Sequence, residues 1–375
     1  MTKHNARPLA ALLATAAMFL AACGAEPQGQ RTRSPEPAPA TAAPAPTSPA
    51  AAQVQPTGDP AALTTGLLTP WSVAFFGQTA LISERDTGNI LELTGSTTRV
   101  VGTISDVVQR GESGLLGIAV DDEQRLYVYS TGPDGNRIQR FAVAGTPGTL
   151  ALGSGETILN GIPAASYHDG GRIAFGPDGM LYATTGDAGN RDESQDPASL
   201  AGKILRMTPE GAAPDDNPFA GSLVYSFGHR NPQGIAWAED GTMFAAEFGQ
   251  DTWDELNIIR AGGNYGWPIV EGIAGDPSYI DPVQQWTPDE ASPSGIAVVD
   301  GTIFIANLRG QTLRAVPVAS PSDATDHYTG TYGRIRHVTH APDGSLWFLT
   351  SNTDGYGTGP RDGDDRLLSV PLNRG

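Results

Sequence analysis

One phrase recurs six times in this chain: an apolar strand, a tight turn, and a second alternating strand that ends in a polar loop. The copies read WSVAFFGQTALISERDTG, LGIAVDDEQRLYVYSTGPDG, GRIAFGPDGMLYATTGDAG, QGIAWAEDGTMFAAEFGQ, SGIAVVDGTIFIANLRGQ and RHVTHAPDGSLWFLTSNTDG. Their turns lie roughly 43 to 62 residues apart, which is room for one four-stranded sheet per copy. Little in this span has the period of an amphipathic helix. The repeat therefore predicts an all-β fold, a six-bladed β-propeller of four-stranded antiparallel blades, closed into one domain over residues 61–375. A β-sandwich is the structural alternative, but it has no need of the same hairpin six times. The longer stretches 191–226 and 261–293 read as insertions on one rim, where function collects in folds of this kind.

The first part of the chain has a different composition. Lys3 and Arg7 precede the apolar run LAALLATAAMFL, and LAAC ends at Cys23, the only cysteine in 375 residues. That run is too short for a permanent membrane span and reads as an export signal over residues 1–23. Leu-Ala-Ala-Cys resembles the bacterial lipoprotein signal, in which the cysteine becomes acylated; an ordinary signal cut nearby is the alternative. If Cys23 carries a lipid, no thiol remains for a disulfide, a thiolate metal site or a cysteine nucleophile. The Pro/Ala-rich stretch 24–60 has little to bury and is expected to be an extended tether. The expected location is the cell envelope, with the domain lipid-anchored on a periplasmic or extracellular face.

The formal net charge is -18, and loss of the signal would make it more negative. A surface of that sign argues against binding nucleic acid or anionic lipid, so the lipid anchor would be the only membrane contact.

Against that acidic background, the loops at one end of the predicted ring gather Glu112, His168, Arg230, Asn231, Arg309, Arg334 and Arg336. In GRIRHV, Arg334 and Arg336 are two residues apart and so share a strand face, where two guanidiniums repel unless an anion lies between them. Taken alone they could equally be surface arginines paired with nearby acids. With Arg230 and Asn231 of GHRNPQG and Arg309 of NLRGQ, they point to a pocket for a small polyanion. His168 could be a structural histidine beside a turn, or a general base at the mouth of that pocket. His229 neighbours the Arg-Asn pair and could orient it, while His327, His337 and His340 read as surface or strand residues. AEFGQDTWDELN offers Glu247, Asp251, Asp254 and Glu255 with carbonyls around Gly249 and Gln250, hard oxygen donors that suit calcium. The spacing is not that of an EF-hand loop, and composition alone equally allows a solvated acidic turn.

Across nearly all of the chain after the tether, the ordered phrases PWSVAFF, SERDTGNI, GESGLLGIAV, YHDGGRIAFGPDGMLYATTGDAGN, DPASLAGKILRMTPEG, DNPF, SFGHRNPQG, WDELNII, GGNYGWP, SPSGIAV and GRIRHV resemble the soluble glucose/sorbosone dehydrogenase family. These are aldose sugar dehydrogenases that use pyrroloquinoline quinone (PQQ). The resemblance implies the same six-bladed fold and oxidation of the anomeric carbon of an aldose to a lactone, with electrons passed to an external acceptor. It implies that His168 takes the proton of the anomeric hydroxyl while a hydride passes to the quinone. Arg230 and Asn231 would contact the quinone oxygens, and Arg334 and Arg336 the cofactor carboxylates. Glu112 and Arg309 would also lie at the cofactor, in place of a glutamine and a lysine of the glucose-oxidising branch. Main-chain carbonyls of Gly249 and Gln250 would hold a calcium ion, and Glu255 and Tyr265 match positions that can serve a second, structural one. Gln250 stands where proline is usual and Tyr167 where an aspartate precedes the histidine. A homodimer is compatible with the resemblance. The rival readings are a calcium-dependent propeller lactonase and a non-catalytic propeller that binds a glycan or a protein.

Overall fold

The hairpins form as their turns require. In the third, fourth and sixth copies the turn aspartate accepts a hydrogen bond from the N–H two residues on: Met180 N to Asp178 at 3.1 Å, Thr242 N to Asp240 at 2.9 Å, Ser345 N to Asp343 at 2.9 Å. The glycine between them takes a positive φ, +74° at Gly179, +85° at Gly241 and +83° at Gly344. Side chains with a Cβ rarely adopt that backbone, so Asp and Gly divide the work of the turn.

The computed structural model describes residues 53–357 and 359–373. Cys23, the export signal and most of the Pro/Ala-rich stretch lie outside the described residues. The described chain is all β apart from one 3-10 turn at Arg191–Gln195. Six four-stranded antiparallel sheets follow one another, as the repeat predicts. Each begins with its innermost strand: Pro70–Phe76, Leu115–Val120, Ile173–Phe175, Pro232–Trp237, Pro293–Val299 and Ile335–His340. Each innermost strand neighbours the next, and the sixth returns to the first, which closes the ring.

Six separate apolar clusters hold the ring, one at each blade-to-blade interface. Leu81 and Ile90 of the first blade meet Ile118 and Phe141 of the second, for example, and Leu349 and Leu367 of the sixth meet Val73 and Ile82 of the first. Both faces of every blade are therefore buried, which explains strands that read as nearly continuous apolar runs.

Two parts of the sequence reading are corrected. Strands Lys203–Met207 and Val224–Phe227 complete the third blade, so much of 191–226 is blade rather than insertion. The fold also begins before residue 61. Gln55–Pro56 pairs with Leu372–Asn373, and Val54 is 2% exposed in the cluster with Phe304, Leu368 and Val370. A Pro/Ala-rich composition hid these residues because only one apolar side chain there is buried. Val54→Ala should cost about 2 kcal/mol of unfolding free energy in a denaturant titration. A free tether would give no change.

Ring closure uses a pairing of the same kind once more. Ala61–Thr65 pairs with Arg366–Val370 and supplies the outer strand of the sixth blade. The last blade is thus built from both ends of the described chain.

Candidate active site

The innermost strands all start at one mouth of the ring, where they and the loops of the blades enclose a pocket of about 400 Å³. Glu112, His168, Arg230, Asn231, Gly249, Gln250, Arg309, Arg334 and Arg336 all line it, and Arg85, Gln233 and Tyr356 join them. Glu255 and Tyr265 do not. They border a small adjoining cavity of about 10 Å³, together with Glu247 and Glu271.

His168 is held in an unusual backbone conformation, φ +60°. Its N–H donates to Glu112 Oε2 at 3.0 Å, and its carbonyl accepts from Ala188 N at 3.2 Å. The chain can pass this closely because Gly186 has no Cβ; one built there would lie 1.9 Å from the His168 carbonyl oxygen. The ring Nδ1 lies 2.7 Å from Asp187 Oδ1, and Trp267 Nε1 donates to Asp187 Oδ2 at 2.9 Å. Burial works to raise the Asp187 pKa, but the His168 bond and charge, with Gly189 N and Trp267, outweigh it and hold the carboxyl below its ordinary range. An ionised Asp187 can only accept, so Nδ1 carries a proton, and in the neutral ring that tautomer leaves Nε2 as the acceptor. A neutral ring of that tautomer is what a general base requires, and the side chain is 14% exposed.

Asn231 ties two loops together. Its Oδ1 accepts from Gly170 N at 3.0 Å and its Nδ2 donates toward Glu112 at 3.5 Å. Glu112 therefore serves the His168 loop from the pocket wall, and Arg309 does not offset it. Arg309 sits on the rim, 61% exposed, paired with Asp289. His229 acts on Arg230 and Asn231 through Glu247. Its Nδ1 lies 2.8 Å from Glu247 Oε2, while Glu247 Oε1 accepts from the backbone N–H groups of both residues. The Arg230 guanidinium donates to the Phe248 carbonyl at 3.3 Å, and its buried Nε has no partner among the described residues.

An anion does lie between Arg334 and Arg336, and it belongs to the chain. Asp354, in the SNTDG loop of the last copy, accepts from Arg334 Nε and Nη2 at 2.9 Å each and from Arg336 Nη2 at 3.4 Å. Arg85 reaches the Asp354 carbonyl at 3.3 Å and pairs with Asp86 at 2.6 Å. One buried carboxylate shared by two guanidiniums leaves positive charge uncompensated. Burial lowers the Arg336 pKa to about 10; Asp354 opposes the drop, and Arg334 and Arg85 add to it. Arg336 Nε, also buried, has no partner among the described residues. A further anion fits this electrostatics.

At Gly249 and Gln250 the loop is pinned from behind. Glu271 Oε1 accepts from the N–H groups of Gln250, Asp251, Thr252 and Trp253 at 2.7, 3.2, 3.1 and 3.0 Å, and Gly249 N donates to Asp254 at 2.8 Å. Glu255 accepts from Gly272 N at 2.7 Å, and burial, then Glu247, push its pKa well above the usual carboxylate range. The Tyr265 hydroxyl is engaged by main-chain groups, donating to the Ile258 carbonyl at 2.7 Å and accepting from Arg260 N at 2.9 Å, which leaves its own main chain as the part that could serve a cation there. Among the described residues, no three His, Cys, Asp or Glu side chains converge as a metal cluster. Any cation at either place would depend on main-chain oxygens.

Sequence reasoning passed over Asp187, Asp354, Arg85 and Glu271. The signal for Asp187 was present: the hairpin register Ile173 to Ala183 continues outward to bring 168 opposite 188.

A six-bladed propeller whose mouth sets an imidazole–carboxylate pair opposite an excess of guanidiniums defines a class of site, one that takes a small polyanion beside a proton acceptor. The chain belongs to the Glucose / Sorbosone dehydrogenase family, whose model matches residues 67–357. The PQQ-bound aldose sugar dehydrogenase of Streptomyces coelicolor is similar at 46% identity and TM-score 0.80, over 87% of this chain and 99% of that one. Aldose sugar dehydrogenase YliI of Escherichia coli is 30% identical over 67% of this chain and 78% of its own. Quinoprotein glucose dehydrogenase B of Acinetobacter calcoaceticus is 32% identical over 53% of this chain; the chain spans 49% of its length.

Proposed function

We propose that the protein is a quinoprotein aldose sugar dehydrogenase that oxidises the anomeric carbon of an aldose to a lactone with PQQ and calcium and passes the electrons to an external acceptor. The observation that carries this reading is the shared carboxylate: among the described residues Arg334 and Arg336 share one carboxylate, Asp354, in the same pocket as His168. A tricarboxylate cofactor matches that excess charge, and Arg336 Nε and Arg230 Nε are buried donors with no partner among the described residues.

When bound, the quinone supplies a carbon that accepts the substrate hydride, and calcium supplies a Lewis acid beside it. The chain does the rest. Arg334, Arg336 and Arg85 would bind the cofactor carboxylates, and Arg230 and Asn231 its quinone end. His168 Nε2 accepts the proton of the anomeric hydroxyl as the C–H bond breaks, and Asp187 steadies the imidazolium so formed. Calcium would lie at the carbonyls of Gly249 and Gln250, which Glu271 orients by holding the neighbouring N–H groups. A second ion would suit Glu255 with the Tyr265 carbonyl. The exposed Tyr167 and Tyr356 give sugar rings an aromatic edge at the mouth. The same reading keeps the protein in the cell envelope on a Cys23 lipid, with a homodimer compatible.

The test is reconstitution: purified protein with PQQ, with and without calcium, and dye reduction followed over a panel of aldoses. Turnover should require both additions and fall on chelation with EDTA. Absence of quinone binding and of dye reduction would sink the reading and turn attention to lactone hydrolysis and glycan binding.

A further inference from the structure

Between the second and third strands of the third blade, the chain makes the 3-10 turn Arg191–Gln195. Gln195, its last residue, has no part in the chemistry described so far. Its Nε2 donates to Asn264 Oδ1 at 3.0 Å and to the Trp267 carbonyl at 2.7 Å, and its Oε1 accepts from Asn264 Nδ2 at 2.8 Å. The two amides can face each other only one way round, since reversing either would set like atoms together. The turn is itself held from below: buried Lys203 donates to the Glu193 carbonyl at 2.8 Å and the Ser194 carbonyl at 3.1 Å. Ser194 O accepts from Gly228 N at 2.8 Å, and Gly228 O accepts from Trp267 N at 2.9 Å. Gly228 leaves room for this knot, because a Cβ there would lie 2.2 Å from Asn264 Oδ1.

What the knot fixes is Trp267. This buried side chain borders the small adjoining cavity and not the main pocket. Its ring lies beside two guanidiniums, Arg191 at 5.3 Å and Arg230 at 5.4 Å, and its Nε1 points at Asp187. Asp187 is buried as well. Its Oδ1 accepts from Gly189 N at 2.8 Å and faces His168 Nδ1, while the hydrogen bond to Oδ2 among the described residues is the one from the indole. Without it a buried, charged oxygen would lack a donor, which costs more than the bond itself contributes. The carboxylate would then turn to recover a donor, and Oδ1 would leave the imidazole. Because the partner of Nδ1 decides which ring nitrogen carries the proton, the orientation of Asp187 decides whether Nε2 is bare.

We propose that Gln195 and Trp267 are positioning residues for the His168 base. Gln195 fixes the indole, the indole fixes the Asp187 carboxylate, and the carboxylate fixes the tautomer whose Nε2 can accept a proton. Neither side chain lines the pocket, so the binding of quinone and sugar does not depend on them. The consequence for rate rests on the dehydrogenase reading, whereas the tautomer is a property of the chain alone.

The experiment reads His168 twice. First, imidazole nitrogen-15 shifts are recorded on the purified protein without quinone, at a pH where the ring is neutral, with the His168 signals identified by their loss in His168→Ala. Wild type should show one tautomer, protonated at Nδ1 and bare at Nε2. Gln195→Leu, which keeps the bulk but not the amide, and Trp267→Phe, which keeps a ring beside Arg230, should both give a mixture of tautomers. Second, the variants are loaded with quinone and calcium. Their kcat should fall about tenfold, the low end of what a hydrogen bond to a charged group is worth, while KM and the quinone Kd change by at most about twofold. An unchanged single tautomer in both variants overturns the proposal, even beside a lower melting temperature, because a merely structural knot gives that result. A rate loss carried by KM or by the quinone Kd overturns it too. If neither variant folds, the Trp267 indole N–H signal is compared between wild type and His168→Ala. Both groups share Asp187, so that signal should move, and one that stays in place overturns the proposal. Mixed tautomers in the variants of a wild type that reduces no dye would support the positioning and tell against the dehydrogenase reading.

Discussion

His168→Ala is expected to slow aldose oxidation by about 10²- to 10⁴-fold at saturating cofactor, the usual contribution of a positioned general base. Quinone binding should be essentially unchanged, because the imidazole holds only Asp187 in this structure and the carboxylate seat is elsewhere. Steady-state dye reduction and a spectroscopic quinone titration measure the two separately. The backbone at 168 has φ +60°, which histidine adopts more readily than alanine, so the melting temperature of the variant is measured beside its rate. A variant that keeps the wild-type rate would mean that His168 is the structural histidine its sequence setting also allowed.

The second large effect concerns the arginines. Arg336→Gln should weaken quinone binding about 10- to 100-fold, as expected when a buried charged hydrogen-bond donor is lost. Arg334 still pairs with Asp354 in that variant, so the local fold has its anchor. Arg309→Gln should cost at most about fivefold, since Arg309 is 61% exposed and already paired with Asp289 on the rim. The two variants together are the informative measurement. If Arg309→Gln proves the more damaging, the carboxylate seat is on the rim and not between Arg334 and Arg336.

Some of the residues behind these expectations are legible in the amino-acid sequence, and others become so only in three dimensions. Blade count is legible because turn chemistry is local: Asp178, Asp240 and Asp343 each bond within two residues, so the six hairpins are written in short strings. His168, Arg230, Asn231, Arg334 and Arg336 are legible as types that are costly to bring together without a ligand. Their partners are not. Asp354 looks like any aspartate in a turn until the sixth blade places it against two arginines, and Gln195 looks like any loop glutamine until the fourth blade brings Asn264 and Trp267 against it. Val54 is hidden for a related reason, since its burial depends on strands more than 240 residues away, such as that of Thr302, whose hydroxyl donates to the Val54 carbonyl at 3.2 Å. Local pattern reveals the repeat; contacts across the ring reveal what the repeat encloses.

The strand Ala61–Thr65 waits for Arg366–Val370, about 300 positions later, before it has a neighbour. During synthesis the first five blades can assemble in order, each on the one before, while that early strand stays unpaired. The ring can become a ring only when the final strands emerge, and this long-range pairing is expected to be the slow step of folding. Until then an open edge and a half-built mouth exist together. Seam formation therefore sets both the moment at which the chain stops offering an edge to other chains and the moment at which its pocket first exists.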